Sequence, residues 1–302
     1  MDRQILKKML ADIHSVKVAV YGDFCLDAYW ILDPRGGEIS VETGLRTEAV
    51  QKQYYTLGGA SNVVANLAAL QPGKIQLAGV TGNDIFGREM RQQFENLGVD
   101  ISGLTVQEKG YDTVVFSKRY LDDNEMPRID FGFFNSRTSE TDDAILSNLR
   151  QIMPVCDALI FNQQVPVSIT DSLIKNANII FKEFNDKFIL LDSRHFGGQF
   201  KHMSRKTNDI EAAELLGIKT PNTKLTVEQL EEMSSRLYEQ FHKPVFLTLG
   251  ANGILTTDKS GICHAPGLIF HKQLDTVGAG DTVISALAAA LGAIGGFVLG
   301  PA

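Results

Sequence analysis

Residues 275–291 read DTVGAGDTVISALAAAL and join two segments of opposite character. Gly278, Ala279 and Gly280 form a loop with almost no side chain to pack, whereas the run after Asp281 is apolar enough for a buried helix. Amides at a helix start point outward, and the helix dipole there favours an anion. The loop is therefore suited to a phosphate. Asp281 at the junction fits two roles, a helix N-cap or a carboxylate that does chemistry beside the anion site.

Outward from this stretch, apolar β-rich runs alternate with helical patterns: VKVAVYG, SNVVANLAAL, IQLAGV, FGREMRQQFENLG, DALIFN, SITDSLIKNANIIFKEF, FILLD, TNDIEAAELLG, TVEQLEEMSSRLYEQF and PVFLTLG. This alternation predicts an α/β fold, a mainly parallel central sheet with helices on both faces. Ligands on such sheets bind at the carboxyl ends of the strands. Two stretches break the pattern, EISVETGLRTEAVQKQYYTLGG and YDTVVFSKRYLDDNEMPRIDFGFFN, and read as strands joined by polar turns. They predict a small β sheet projecting from the body, with strands in 33–57 and 111–135. No repeat, low-complexity tract or linker interrupts the chain, which reads as one domain over 1–302.

Composition narrows the function classes. The 302 residues are 44% hydrophobic, enough for a sizeable core. A formal charge of −7 and the lack of a long Lys/Arg cluster argue against nucleic acid and anionic membranes as partners, and for a small molecule. Cys25, Cys156 and Cys263 are dispersed without metal-ligand spacing, which predicts neither disulfides nor zinc and fits a reducing cytoplasm. The N-terminal segment has no uninterrupted apolar core of a secretory signal. Residues 284–302 carry no charge, and Gly292, Gly296 and Gly300 recur every fourth position as on a membrane packing face. The segment starts only three residues after Asp281 and lacks a basic flank, so a buried core helix is expected instead.

Further motifs carry polar groups to strand and helix ends. Gly58, Gly59, Ala60, Ser61 and Asn62 open the helical run NVVANLAAL, placing amides and an Asn side chain at its start. In YGDFCLDAYW, Asp23 and Asp27 are expected just beyond the carboxyl end of a buried strand, where Asp27 suits polyol hydroxyls. Asn208 and Glu211 open another helix, where acidic residues are favoured by the dipole alone but also suit a hydrated Mg²⁺ beside a nucleotide.

Taken together, Asp27, GGASNVVANLAAL, NDIE, TLGANGI and DTVGAGD resemble, in this order, the ribokinase-like family of carbohydrate kinases, the PfkB type. The resemblance implies ATP-dependent phosphorylation of a sugar or sugar phosphate, with the projecting strands as a lid that excludes water. It implies Asp281 as general base and the amides of Gly278, Ala279 and Gly280 as the anion hole. Asp27, Gly59 and Asn62 would bind the sugar, Asn208 and Glu211 would position Mg²⁺ and the ATP phosphates, and Thr248, Gly250 and Gly253 would border the nucleotide. A monovalent cation near 275–280 belongs to the same expectation, and the exposed β edges of the lid strands separately suggest a homodimer that buries them.

Within the family the chain is most similar to the heptose-phosphate kinase branch, through GDFCLDAYW and SKRYLDDNEMPRIDFGFF. It departs from that branch at Asn162-Gln163-Gln164-Val165-Pro166, where Asp-Tyr-x-Lys-Gly is usual, and at Asp192-Ser193-Arg194, where Asp-Pro-Lys is usual. Lys118, Arg119, Arg128 and Arg194 nevertheless lie on segments expected to border the sugar, which favours a phosphorylated acceptor. The sequence given ends 21 residues after Asp281, at Ala302, where the family continues into helices that wall the adenine. The expectation there is an incomplete nucleotide site. The competing reading is a non-catalytic sugar- or nucleotide-binding protein of the same fold. A dinucleotide oxidoreductase is disfavoured because no strand leads into GxGxxG.

Overall fold

Chain alternation places β-branched and leucine-rich segments in one large sheet, in a computed structural model that describes residues 3–166, 169–219, 225–268 and 276–294. The first half runs α1 (Arg3–Asp12), β1 (Lys17–Gly22), β2 (Phe24–Leu32), β3 (Val50–Gly59), α2 (Ala60–Leu70), β4 (Lys74–Gly82), α3 (Ile85–Asn96), β5 (Leu104–Gln107), β6 (Val114–Leu121), β7 (Asn124–Glu125) and β8 (Ile129–Phe131). It continues with α4 (Ser139–Ile152), β9 (Ala158–Gln163), α5 (Asp171–Glu183), β10 (Phe188–Ser193), β11 (Ser204–Asn208), α6 (Asp209–Leu215), α7 (Val227–Phe241), β12 (Val245–Thr248), β13 (Ile254–Asp258), β14 (Gly261–Ala265) and α8 (Ala279–Ile294).

The main sheet has the order β14-β13-β12-β11-β10-β9-β1-β4-β5. Its strands pair in parallel from β5 through β12, and β13 and β14 close one edge antiparallel. Both faces are covered, as parallel strands with helical crossovers require. On one face Val18, Val20, Ile160 and Leu190 pack with residues of α2, α3 and α8. On the other, Tyr21, Leu159, Phe161 and Leu191 pack with α4 and α5. Phe161 stacks on Tyr21 at 4.2 Å and meets Phe181 and Phe200, and its full burial contributes about 2–3 kcal/mol. The family-resemblance expectation of a ribokinase-like α/β architecture agrees with this layering. Helix α4 and strand β5, absent from the sequence reading, complete it.

Register fixes what gathers at the carboxyl edge. Gly22 pairs with Asn162, Asn162 with Asp192, and Asn208 with Thr248. Leu191 pairs with Arg205, so the residues that follow them, Asp192 and Lys206, lie side by side.

The second sheet has the order β3-β2-β6-β7, with β8 paired to β6. Two expectations are corrected here. Asp27 does not lie beyond the end of the first strand; it sits within β2, because only Asp23 separates β1 from β2 and the chain passes there from one sheet to the other. The Asp23 carboxylate holds that crossing by accepting the N–H groups of Gln164 and Val165 at 2.6 and 2.7 Å. Residues 33–49 hold no strand. They contain a 3₁₀ turn at Pro34–Gly36 and a single bridge between Ile39 and Arg46, because glycines and charges there interrupt the period-2 pattern. The small sheet instead takes in Phe24–Leu32, whose residues pair with both β3 and β6.

The apolar helix after Asp281 is a core helix. Ile284, Ser285, Ala288 and Ala289 of α8 are buried, and Ser285 donates to the Val63 carbonyl of α2 at 3.1 Å. A side chain at Gly292 would meet Val16 at 2.5 Å, so this glycine serves close packing. Among the described residues no helix is long and apolar enough to cross a membrane. Gly296, Gly300 and the rest of 295–302, on which the incomplete-nucleotide-site expectation falls, lie outside the described residues.

Candidate active site

Asp281 is the third residue of α8, in its first turn rather than at the cap position. Its Oδ2 accepts a 2.7 Å hydrogen bond from Asn62 Nδ2 of α2. The carboxylate is therefore held sideways by another helix. Burial pushes the Asp281 carboxyl above its ordinary range; Asn62 and Lys206 oppose the rise, and Asp192 and Asp27 add to it. Gly278 has φ +76°, and a Cβ there would lie 2.7 Å from Asn62 Nδ2, so only glycine fits both the turn and the bond. Of the three loop amides, that of Ala279 donates to the Thr276 carbonyl at 3.2 Å, while Gly278 and Gly280 line the adjoining cavity.

That cavity, about 610 Å³, brings together Asp281, Asp27, Gly59 and the Asn208–Glu211 pair from four separate segments. A second cavity of about 650 Å³ is lined by Thr248, Gly250 and again Asn208. Asn208 thus stands between the two. Gly253 does not line either one; it has φ +97°, and a Cβ there would lie 2.0 Å from the Ala265 carbonyl oxygen. Asn62 also stands outside the first cavity and reaches it only through Asp281.

The four cations expected near the sugar separate. Arg128 and Arg194 line the first cavity. Arg119 instead bonds Glu48 and the Pro127 carbonyl. Lys118 donates to Asp27 Oδ2 at 3.0 Å and to the Tyr29 hydroxyl at 3.1 Å, so it acts on the site through Asp27.

Lys206 and Asp192 are functional candidates that the sequence reading missed. Lys206 Nζ lies 2.7 Å from Asp192 Oδ2, their side chains are 8% and 4% exposed, and both line the cavity. A Cβ on Gly280 would come within 3.0 Å of Lys206 Nζ, which puts the ammonium against the glycine loop. Desolvating such a pair is costly, so it is weak evidence of stabilisation and better evidence of a task at the site. The available signal was spacing. Lys206 and Asn208 are two apart on a strand and so share a face.

Asn208 and Glu211 form a capping box at the start of α6: Asn208 Oδ1 accepts from Glu211 N at 2.9 Å and Glu211 Oε2 from Asn208 N at 3.0 Å. Burial raises the Glu211 carboxyl above its ordinary range, with the Asn208 bond opposing. Among the described residues no group of three His, Cys, Asp or Glu side chains could cage a metal. Mg²⁺ held mainly by water and substrate phosphates needs only one or two carboxylates, and the side-chain oxygens of Glu211, Asn208 and Asp192 fit that demand. The monovalent-cation expectation falls on 275–280, of which Asp275 lies outside the described residues.

A family model for pfkB family carbohydrate kinases matches residues 16–296, nearly the whole chain. The chain belongs to the pfkB family. Among pfkB relatives, the bifunctional protein HldE of Wolinella succinogenes is 28% identical over 273 residues, 90% of this chain and 56% of that protein. HldE of Helicobacter pylori strain J99 is 27% identical over 282 residues, 91% of this chain and 58% of that protein. The chain thus spans little more than half the length of these relatives. Solved pfkB-like folds include the tetrameric inhibited form of phosphofructokinase-2 from Escherichia coli, with a TM-score of 0.71 at 14% identity, covering 92% of this chain and 88% of that one. Arabidopsis thaliana ribokinase complexed with ribose and ATP has a TM-score of 0.69 at 17% identity, covering 92% and 86%. These neighbours share the ribokinase-like architecture.

Proposed function

We propose that this pfkB protein transfers the γ-phosphoryl group of ATP to a hydroxyl of a sugar or sugar phosphate. The observation that carries the reading is Asp281, a half-buried carboxylate held by Asn62 beside a glycine loop, in a cavity shared with Asp27 and adjoining the one at Thr248. In this reading Asp281 takes the proton of the acceptor hydroxyl, whose oxygen bonds to the γ-phosphorus as the bond to the ADP oxygen breaks. The N–H groups of Gly278 and Gly280, with Lys206, offset charge on the transferred group, which is the main source of catalysis in this chemistry. Ala279 would join them on release of its bond to Thr276. Asp27 and Gly59 bind acceptor hydroxyls, and Asn62 contributes by fixing Asp281. The second cavity, with Thr248 and Gly250, takes the nucleotide. Bound Mg²⁺ supplies phosphate charge neutralisation, and Glu211 and Asn208 are the residues that would hold it. An ADP-release screen across hexoses, heptoses, nucleosides and their phosphates tests the proposal; no release with any acceptor refutes it.

Glu211→Gln should raise the Mg²⁺ concentration needed for half-maximal rate several-fold with little change in stability, since Gln still accepts the Asn208 N–H and keeps the capping box. A superimposable Mg²⁺ titration would remove Glu211 from the metal's shell.

The acceptor is proposed to carry a phosphate, supported by Arg128 and Arg194 in the cavity wall. Arg194→Ala should lower kcat/KM for a sugar phosphate by about 10- to 100-fold and that for the free sugar by much less, the difference being one charge-assisted contact. Equal loss on both members of a matched pair would count against it.

Two further proposals concern setting. Among the described residues β3 is an edge strand of the small sheet, and with Tyr54 exposed upon it this supports a homodimer through that sheet, which a monomer in sedimentation velocity would disprove. The free thiols of Cys25, Cys156 and Cys263 support a reducing compartment such as the cytoplasm, and secretion of the tagged full chain would contradict it.

A further inference from the structure

Four side chains stand at one level across the small sheet. Thr56 of β3 pairs with Asp27 of β2, Asp27 with Phe116 of β6, and Phe116 with Asp130 of β8. Residues paired in register project to the same face. Asp27, Phe116 and Asp130 accordingly all line the 610 Å³ cavity. The two carboxylates are built alike. Asp27 Oδ2 is held by Lys118 at 3.0 Å and Asp130 Oδ2 by Arg128 at 2.9 Å. The Arg128 guanidinium is in turn seated 4.7 Å over the Phe116 ring, whose neighbour Phe133 adds further apolar wall.

The remaining oxygen of Asp130, Oδ1, is buried and accepts no hydrogen bond among the described residues. An unmet acceptor of this kind is costly, and a donor from outside the chain would relieve it.

We infer that Asp130 is a second hydroxyl-binding carboxylate, which with Asp27 grips the acceptor sugar from opposite sides of the Phe116 ring. The inference rests on the sugar-kinase reading of this cavity. Strands lie about 4.8 Å apart, so the Asp27 and Asp130 backbones, two strands apart, are separated by about 10 Å. Projecting side by side from one face, the two carboxylates stay about that far apart, which leaves room for one sugar ring with a hydrogen bond at each side. The acceptor class is therefore a sugar with hydroxyls on opposite sides of an apolar C–H face, and a two- or three-carbon polyol engages only one carboxylate at a time. Arg128 is a positioning residue in this arrangement, because it holds Oδ2 at 2.9 Å and so fixes the carboxylate at the cavity wall.

The test uses the full chain, the best acceptor from the ADP-release screen and a series of its monodeoxy analogues. Asp130→Ala and the shape-conserving Asp130→Asn are compared with Asp27→Asn, by steady-state kinetics and by calorimetric titration of the sugar. Asp130→Ala should raise the sugar KM and Kd about 10- to 100-fold, leave the KM for ATP unchanged, and abolish discrimination against one particular deoxy analogue. Asp27→Asn should abolish discrimination against a different one. Equal weakening for every analogue, accompanied by a lower melting temperature in both Asp130 variants, would reduce Asp130 to a support for Arg128 and overturn the inference. Unchanged sugar affinity would also overturn it. If no sugar in the screen releases ADP, the same sugars are titrated by calorimetry: a sugar that the wild type binds and Asp130→Ala binds about 10- to 100-fold more weakly removes the kinase reading while supporting the role of Asp130, and equal binding by both overturns that role as well.

Discussion

Asp281→Asn lowers kcat by about 10²–10⁴-fold while the affinities for sugar and ATP stay near those of the unaltered protein. The amide matches the carboxylate in shape, and on turning presents its oxygen to Asn62 Nδ2, so the bond that holds the side chain survives. What it loses is the capacity to accept a proton. The pH profile provides a second measurement. Burial raises the Asp281 carboxyl above the ordinary 3.8, and the working form is the ionised one. Activity is thus present above that raised value and is lost as pH falls through it, on an acid limb at higher pH than an ordinary aspartate would give. The limb should vanish from the residual activity of the Asn variant. Retention of more than half the kcat would leave Asp281 as a structural residue of the first turn.

Lys206→Met should have the largest effect on stability. Removing the ammonium leaves Asp192, 4% exposed, as an uncompensated buried charge, and breaking such a pair costs about 3–5 kcal/mol. Adding Asp192→Asn to the same chain should restore most of that loss in urea denaturation, because no charge is then stranded. Turnover should not return. Both the single and the double variant lack the cation beside Gly280, and loss of one such stabilising group typically costs about 10²–10³-fold in kcat. A double variant that recovers rate along with stability would show that the pair serves only the fold.

Much of the candidate site was legible because its signals are local. A glycine loop entering an apolar helix, Asn208 and Glu211 three apart at a helix start, and β runs alternating with helical runs each express backbone geometry within a few residues. Local signals were also ambiguous where one residue fits two roles. The capping box of Asn208 and Glu211 is realised in full, yet both residues line the cavity, so cap and ligand are compatible uses of one motif. Arg119 and Lys118 are neighbours in sequence and point to opposite faces of β6, which sends one to Glu48 and the other to Asp27.

By itself, the sequence determined the layered α/β architecture and marked the glycine loop, Asp27, Asn208, Glu211 and Asp281 as candidates. Hydrophobic periodicity and helix-start chemistry act over one or two turns of chain and need no knowledge of what lies opposite. Tertiary structure alone decided which side chains meet. It brought Asn62 to Asp281 across 219 positions, set Lys206 against Asp192 on a neighbouring strand, and lined up Asp27, Phe116 and Asp130 across three strands. Those pairings depend on strand register and on helix packing, which are fixed by burial of whole faces rather than by any residue's immediate neighbours.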